Sequence, residues 1–385
     1  MTRRSLALIG LLTAVLMAVV ATSAAAKPNA AAAISCSAPR IPVMAPITGG
    51  AASIGKEQLN WAKFAVETYN ASSDAKARDR AFKIVEGDTQ LDPAQASTVG
   101  QRLASDSTIP AVVGPAGSQE VEAVGPIFKR VALAYVSPSS TRTDLTSGKY
   151  PTFFRVVGKD AAQGAKDAGY LVDVLKATKV VVIDDQTSYG KPLADAAAKI
   201  LRARGVQVQR ESISQKLTDF SALVSKIPDD TDWAFLAWQI ASQAQTIGQQ
   251  LKEQGKKTRL FGSDGLFSPD FKIAGSFVSA FAPDIRVFPA SRPVANAYTK
   301  KYGKFGTFGP PVYVATQAVI AAVNGACNDD GKATRGEVLK WMKQTVLKKT
   351  ILGTDVSFDA HGDVKNAKFY IFRFLGGSYK YVRVV

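Results

Sequence analysis

Cysteine and histidine are almost absent from this sequence of 385 residues, which contains only Cys36, Cys327 and His361. So few soft ligands exclude a zinc site of the usual kind, and we predict no metal and no cofactor. A hydrolytic triad is also disfavoured, because its base must lie beside the nucleophile and His361 falls in a predicted turn near the C-terminal end.

The motifs of common enzyme classes are missing as well. Neither G-x-S-x-G nor a Walker loop occurs, and no G-x-G-x-x-G opens a helix after the first strand. An acid pair such as Asp184 and Asp264 has the residue types for acid–base catalysis, but nothing nearby marks it out. We therefore expect a protein that is not an enzyme.

A long apolar run occurs only at the start of the chain. Arg3 and Arg4 precede an apolar stretch over 5–20, and small residues follow over 21–26. This order is typical of a secretory signal peptide over 1–26, and the apolar run is shorter than the ~20 residues of a bilayer span. We predict a periplasmic or otherwise extracytoplasmic mature protein.

The state of the two cysteines depends on that compartment. An even pair can close a disulfide where the environment is oxidising, although the spacing of Cys36 and Cys327 does not show that they meet. A lipid anchor at Cys36 is disfavoured. Residues 33–36 faintly resemble a lipobox, but they lie well past the apolar run.

The net charge of +16 is strongly basic. Basic pairs such as Lys256-Lys257, Lys300-Lys301 and Lys348-Lys349 are scattered along the chain, whereas a nucleic-acid surface concentrates them. We predict no nucleic-acid partner. A solvated basic surface facing an anionic cell envelope is favoured, and attraction of an anionic ligand stays open.

Strand and helix patterns alternate along most of the chain, which is longer than one hydrophobic core usually serves. Short continuous apolar runs predict buried strands at 41–47, 82–85, 111–114, 133–136, 179–183, 206–209, 233–237 and 259–261. Helical spacing between them predicts an α/β fold with two doubly wound lobes and parallel-rich sheets. We expect an N-terminal lobe over 38–156 plus 287–352 and a C-terminal lobe over 157–286 plus 353–385. Near the C-terminal end, Val356 to Phe358 and Phe369 to Phe374 predict a β pair joined by the polar turn at 359–363.

Ligands of open α/β sheets bind beyond the carboxyl ends of the strands. The loops at 114–118 and 137–141 offer small residues and hydroxyls, including Ser118 and the run Ser139, Ser140 and Thr141, which suit a carboxylate. The loops at 184–190 and 262–265 offer Tyr189 and Asp264, which suit an ammonium group. Together they describe a zwitterion held by two lobes.

Each of these residues also has a structural explanation. Ser118 suits a helix cap, and Ser139 to Thr141 are typical turn residues that bond their own backbone. Tyr189 could pack at the start of a helix, and Asp264 could be an ordinary turn acid. Their shared position at strand ends favours the binding site.

A family resemblance adds to this interpretation. The runs at 87–93, 112–115, 137–141, 219–221 and 358–363, with Tyr189-Gly190 after a strand, resemble the branched-chain amino-acid-binding proteins of ABC transporters. The similarity extends from about Ile41 to Phe374 and lies in the order and spacing of these motifs.

The resemblance implies a type I periplasmic-binding-protein fold with a three-strand hinge that closes two lobes on a ligand. It implies that Ser118 and Thr141 bind the α-carboxylate and that the Ser139 carbonyl accepts from the α-amino group. It further implies that Tyr189 covers the ligand and that Asp264 pairs with the ammonium. The implied partners are a small amino acid or carboxylate and a membrane permease, and we expect a monomer.

Some positions depart from the family pattern. Asp264 stands where Glu is common, and Ile54 stands where an aromatic is common. A second aromatic position falls at Trp238, Gln239 or Ile240. The ligand therefore stays open among branched-chain amino acids, other amino acids, amides and aromatic carboxylates. A soluble sensor that reports to a separate membrane partner is the alternative function.

Overall fold

A computed structural model describes residues 33–328 and 331–385, so the predicted signal peptide lies outside them. The strands, in chain order, are β1 (Ile34–Ser35), β2 (Arg40–Ala45), β3 (Lys83–Asp88), β4 (Ala111–Val113), β5 (Ala134–Ser137), β6 (Phe153–Arg155), β7 (Lys179–Asp184), β8 (Gln207–Ser212), β9 (Trp233–Ala237), β10 (Arg259–Gly262), β11 (Phe277–Ala280), β12 (Lys332–Ala333), β13 (Val346–Leu347), β14 (Val356–Ser357), β15 (Tyr370–Leu375) and β16 (Ser378–Val384).

The helices alternate with these strands. They are α1 (Ala52–Asn70), α2 (Ser73–Ala77), α3 (Pro93–Ser105), α4 (Ser118–Arg130), α5 (Asp160–Asp173), α6 (Gly190–Ala203), α7 (Ser221–Ser225), α8 (Ala241–Glu253), α9 (Arg292–Tyr302), α10 (Gly309–Ala326) and α11 (Arg335–Gln344). Among the described residues, none of these helices has the length and apolar character needed to cross a membrane.

The N-terminal sheet contains five parallel strands in the order β3-β2-β4-β5-β6. Successive side chains of a strand point to opposite faces. Val43 packs on one face with residues of α1 and α10, whereas Met44 and Val112 pack on the other with residues of α3 and α4. Both faces are covered, as the continuous apolar runs predicted, and we call this sheet with its helices the N-terminal lobe.

The C-terminal sheet has seven strands in the order β16-β15-β11-β10-β9-β7-β8. Five neighbouring strands, β11, β10, β9, β7 and β8, are parallel, whereas β15 and β16 pair antiparallel. Val181 packs with residues of α7 and α8 on one face, and Val182 packs with residues of α5 and α6 on the other. This sheet and helices α5 to α8 form the C-terminal lobe.

The chain passes between the two sheets three times, after β6, after β11 and before β15. An ion-pair network ties two of these passages together. Arg155, which is fully buried, lies 2.6 Å from Asp363, and Lys159 lies 2.7 Å from the other oxygen of the same carboxylate. Burial alone raises the pKa of Asp363, but the two cations outweigh it and hold that pKa below its usual value.

The tail of the chain differs from its prediction. We expected Val356 to Phe358 to pair with Phe369 to Phe374, but β14 pairs with β13 and β15 pairs with β11 and β16. The prediction was wrong because β11 was missed as a strand, and β11 supplies the partner that β15 needs. A Gly376-Gly377 turn, with φ of 57° and 78°, then allows the β15–β16 hairpin.

Cys36 and Cys327 form a disulfide, with a Cα–Cα distance of 5.8 Å. Both side chains are buried. The bond joins the segment before β2 to the end of α10, across 291 residues of sequence.

Candidate functional site

A cavity lies where the loops at the carboxyl ends of both sheets meet. It encloses about 390 Å³ of space, part of it open to solvent. The residues that line it are Pro46, Ala51, Ile54, Leu91, Ala116, Gly117, Ser118, Ser139, Tyr189, Gln239, Asp264, Gly265 and Phe308. Five of the eight residues predicted for the site are among them.

Ser118 is the first residue of α4 and is almost fully buried. Its Oγ accepts a hydrogen bond from the backbone N–H of Arg142 at 3.3 Å, which joins the two predicted carboxylate-binding loops. The N–H groups of the first helical turn have no partner within the helix, and they carry the positive end of the helix dipole. This corner of the cavity is therefore suited to an anionic group.

The loop before α4 depends on a glycine. Gly114 has a φ of +103°, and a Cβ there would lie 2.2 Å from the carbonyl oxygen of Met44. Glycine alone adopts this conformation without strain and leaves room for the neighbouring backbone.

The three hydroxyl residues after β5 have different environments. The Oγ of Ser139 donates to the carbonyl of Ala116 at 2.9 Å and accepts from Gln58. The Oγ of Ser140 lies 3.1 Å from the same carbonyl, so it joins the two loops and does not line the cavity. Thr141 is fully buried, and its Oγ1 has no hydrogen-bond partner among the described residues. Of the three hydroxyl groups, that of Thr141 is the one left without a partner.

Tyr189 and Asp264 meet on the C-terminal side of the cavity. The hydroxyl of Tyr189 lies 2.7 Å from Oδ1 of Asp264 and 2.7 Å from Oγ of Ser263. Burial raises the pKa of Asp264 to about 6, although the bond from Tyr189 favours the ionised form. Within the described residues Asp264 forms no salt bridge, so a cationic ligand group would supply the missing partner.

A second buried carboxylate lies near this pair and was missed by the sequence analysis. Asp160 begins α5 and is 1% exposed, and neither of its oxygens is hydrogen-bonded within the described part of the chain. Burial, together with the charge of Asp264, raises its pKa to about 8, although the neighbouring hydroxyl of Thr141, which lies outside good hydrogen-bond geometry, favours the ionised form. Its backbone N–H donates to the carbonyl of Thr141 at 2.8 Å, which fixes it beside the predicted carboxylate-binding loop.

The polar face of α5 continues beyond Asp160. Gln163 and Asp167 follow at helical spacing, and both contact Ser279 of β11, at 2.9 Å and 2.8 Å. Burial raises the pKa of Asp167 well above its usual value. In residues 33–328 and 331–385, these acids do not form a group that could hold a metal ion.

Trp238 and Gln239, predicted for the side-chain pocket, lie in different places. Trp238 is fully buried in the core, packs edge-on against Phe220, and donates from its indole N–H to Gln243 at 3.1 Å. Its side chain does not line the cavity. Gln239 does, because successive residues after β9 point in opposite directions.

One wall of the cavity is apolar. Ile54, at the predicted aromatic position, lies there with Leu91 and Phe308, neither of which was predicted. Leu91 has a φ of +60°, an uncommon conformation for a residue other than glycine, and its carbonyl accepts a hydrogen bond from Gln119 at 3.1 Å. Apolar side chains together with a few polar groups are typical of the lining of a small-molecule site.

Hydrogen bonds between the two lobes surround the cavity. Gln119 and Gln239 exchange two amide bonds, at 3.1 Å and 3.2 Å. Ser188 donates to Glu122 at 2.6 Å. A further bond, from Ser53 to Asp270 at 2.9 Å, crosses the same cleft. The two lobes are therefore in contact around the site, as in a closed conformation.

Comparisons with known proteins agree with this architecture. An amino acid binding protein of Pseudomonas aeruginosa is 29% identical over 343 residues, covering 86% of this chain and 89% of that protein. A leucine-binding protein of Thermotoga maritima has the same fold, with a TM-score of 0.82 at 22% identity over 90% of this chain and 98% of that one.

A second solved structure is the branched-chain amino acid transporter substrate-binding protein of Streptococcus pneumoniae in complex with isoleucine. It has a TM-score of 0.79 and 25% identity, and the alignment covers 90% of this chain and 99% of that one. The model of a family described as periplasmic binding protein matches residues 39–378. The chain therefore belongs to the periplasmic binding protein family.

Proposed function

We propose that this protein is the extracytoplasmic binding component of an ABC importer and that its ligand is a branched-chain amino acid. The observation that carries the proposal is the buried carboxylate of Asp264, which forms no salt bridge within the described residues and lines the same cavity as the start of α4. A ligand ammonium group would pair with the Asp264 carboxylate, and a ligand carboxylate would suit the start of α4. The apolar wall formed by Ile54, Leu91 and Phe308 matches an aliphatic side chain.

The α-carboxylate is held by Ser118 and Thr141 in this proposal. Ser118 offers its hydroxyl and the backbone N–H groups at the start of α4, and Thr141 offers a buried hydroxyl that has no hydrogen-bond partner within the described residues. The carbonyl of Ser139 accepts from the ammonium group. Ser140 acts indirectly, because its hydroxyl bonds the neighbouring loop.

The ammonium group lies between Asp264 and Asp160. Tyr189 donates to Asp264 and so fixes the carboxylate that the ammonium meets. Asp160 supplies a second acceptor, since both of its oxygens lack partners among the described residues. A ligand ammonium beside both carboxylates favours their ionised forms, including that of Asp160, which burial otherwise keeps protonated at pH 7.

Ligand binding is coupled to closure of the lobes. Each lobe carries half of the site, so a ligand that bridges both halves stabilises the closed form. The lobes that close are those expected from the sequence, 38–156 with 287–352 and 157–286 with 353–385. A membrane permease then recognises the closed lobes, and the protein acts as a monomer. The likeness to binding proteins named for leucine and isoleucine supports this role.

A thermal-shift screen tests the ligand class. The mature protein, 27–385, is unfolded, stripped of ligand, refolded and heated with millimolar amino acids, amides or aromatic acids. Leucine, isoleucine or valine should raise the melting temperature, because a ligand at ~100 times its Kd adds about 2.7 kcal/mol to the free energy of unfolding.

Other outcomes of the screen have definite meanings. A shift with aromatic carboxylates and none with amino acids would reject the branched-chain assignment and the ammonium role of Asp264. No shift with any compound would reject import of these solute classes and would favour the sensor alternative.

The hydrogen bonds across the cleft predict a smaller effect on affinity. Replacing Ser188 by alanine removes the bond to Glu122 of the other lobe, so the closed form should lose about 1 kcal/mol and leucine affinity should fall roughly fivefold. Calorimetric titration measures the loss. Ser225→Ala is the matched control, because that exposed hydroxyl bonds within its own lobe. An equal loss in both variants would contradict the closing role.

A further inference from the structure

A basic groove lies on the C-terminal lobe, away from the amino acid site. It encloses about 1290 Å³, much of it open to solvent, and it begins at the amino ends of β10 and β11. The amino acid site lies at the carboxyl ends of the strands, so the two are on opposite edges of the sheet. The residues lining the groove are Gly248, Gln249, Leu251, Lys252, Gly255, Lys256, Thr258, Arg259, Leu260, Lys272, Ile273, Ala274, Gly275, Ser276 and Arg373.

The charge of this groove has one sign. Five of the lining residues are lysine or arginine, and none is aspartate or glutamate. Lys256 is neutralised, since its Nζ lies 2.7 Å from Asp229. The remaining four, Lys252, Arg259, Lys272 and Arg373, form no salt bridge within the described residues. Arg259 lies close enough to Asp232 to help lower the pKa of that carboxyl, without a salt bridge between them. Four cations around one concave surface attract an anion more strongly than scattered surface lysines do.

The two guanidinium groups are held in place by aromatic rings. Arg259 lies 4.0 Å from the ring centroid of Trp233, and Arg373 lies 5.1 Å from that of Phe277. Phe277 and Arg373 are also register partners in neighbouring strands. Stacking fixes the plane of a guanidinium and leaves its N–H edge free for the oxygens of a phosphate.

Two buried hydroxyl groups in the groove have no partner. Ser276 is 1% exposed and Thr258 is 8% exposed, yet neither hydroxyl oxygen is hydrogen-bonded within the described part of the chain. A buried hydroxyl without a partner is costly, and a bound anion would accept a hydrogen bond from it. This observation is independent of the charge, and it indicates a ligand with hydrogen-bond acceptors.

Because side chains alternate along a strand, Arg259 and Arg373 lie on the face of Trp233 and Phe277, whereas Ser276 lies on the opposite face with Val278. We propose that this groove binds a phosphate-bearing anion at the amino edge of the sheet, with Arg259 and Arg373 contacting its oxygens from one face and Ser276 donating a hydrogen bond from the other. Bidentate arginine contacts suit phosphate geometry, and Lys252 and Lys272 add charge. The phosphate group can belong to a free anion or to the headgroup of an anionic phospholipid. The site is separate from the amino acid cavity, so the proposal goes beyond the import function.

Titration of the mature protein with pyrophosphate at low salt tests the proposal by calorimetry. Arg259→Gln with Arg373→Gln should weaken pyrophosphate binding about tenfold, and Ser276→Ala should weaken it about threefold without changing the charge. The control, Lys129→Gln with Arg130→Gln, removes the same charge from the exposed end of α4 and should change binding less than twofold. Lys252→Gln with Lys272→Gln replaces the arginine variant if that variant does not fold.

Flotation with vesicles distinguishes the two sources of phosphate. Binding to phosphatidylglycerol vesicles, but not to phosphatidylcholine vesicles, with competition by pyrophosphate, would identify a lipid headgroup. Pyrophosphate binding without flotation would identify a free anion. Equal losses in the groove and control variants would reduce the effect to net charge and overturn the proposal. Absence of pyrophosphate binding at low salt would overturn it too.

Discussion

Leucine binding should fall at least about a hundredfold when Asp264 is replaced by asparagine. The carboxylate is 3% exposed and forms no salt bridge within the described residues, so in our proposal it pairs with the ligand ammonium in a dehydrated site. Removing one partner of a buried ion pair costs ~3–5 kcal/mol, which corresponds to a factor of about 100 or more in Kd. Calorimetric titration of the mature variant with leucine measures the change.

Two controls make the Asp264 result specific. The variant should bind 4-methylpentanoate, which is leucine without its ammonium group, about as well as the unaltered protein does. Asp195→Asn, an exposed carboxylate of the same lobe, should leave leucine affinity unchanged. A similar loss for leucine and for 4-methylpentanoate would show that Asp264 supports the cavity without meeting an ammonium group.

The same residue predicts a dependence on pH. Because burial raises the pKa of Asp264 to about 6, the group is protonated below that pH and cannot pair with an ammonium. Leucine affinity should therefore fall as the pH drops from 7 to 5. In Asp264→Asn, leucine affinity should fall less over this pH range. An unchanged slope of affinity against pH would assign the dependence to another group.

The position of the site follows from the strand pattern. Continuous apolar runs predicted parallel strands, and the carboxyl ends of parallel strands lie on one edge of a sheet. Ser118, Ser139, Tyr189 and Asp264 each follow a predicted strand, and the structure places all four around one cavity. Local spacing was sufficient here because each residue is tied to its strand by only a few positions.

Residues far from a predicted strand end could not be found in this way. Asp160 lies on a helix, and its spacing with Gln163 and Asp167 has the appearance of an exposed polar face. In the structure all three side chains are buried, and those of Gln163 and Asp167 bond Ser279 of β11. Phe308 reaches the cavity from the C-terminal third of the chain. Trp238 was placed in the pocket for a different reason: the predicted position was uncertain by one residue. After a strand, a shift of one residue moves a side chain from the cavity to the core.

Replacing Asp160 by asparagine should have opposite effects on stability and on binding. Its pKa is about 8 in the folded protein against an ordinary value of 3.8. Between these values the unfolded chain has lost the proton while the folded, ligand-free protein keeps it, so the free energy of unfolding falls as pH rises from about 4 to about 8. An asparagine side chain cannot ionise, so Asp160→Asn should be more stable than the unaltered protein at pH 8, by an amount on the order of a few kcal/mol.

Urea unfolding of the ligand-free protein at pH 5 and pH 8 measures this difference. Asp264 and Asp167 face the same region and titrate in both proteins, so only the change in slope on substitution belongs to Asp160. Asp173→Asn is the control, since that carboxylate lies on the exposed end of the same helix. Equal slopes in the variant and the unaltered protein would contradict the buried, proton-holding state of Asp160.

Binding gives the second half of the Asp160 prediction. If the ammonium lies between Asp160 and Asp264, leucine binding at pH 7 should release a proton from Asp160, which calorimetry in buffers of different ionisation enthalpy detects. Asp160→Asn should abolish that release and weaken leucine binding at least about tenfold. If the carboxylate only supported the fold, its substitution would lower the free energy of unfolding. If it is kept for a ligand, it lowers the stability of the ligand-free protein, and its substitution raises the free energy of unfolding. Gain of stability with loss of affinity in one variant therefore identifies Asp160 as a ligand-binding residue, and unchanged affinity would remove it from the site.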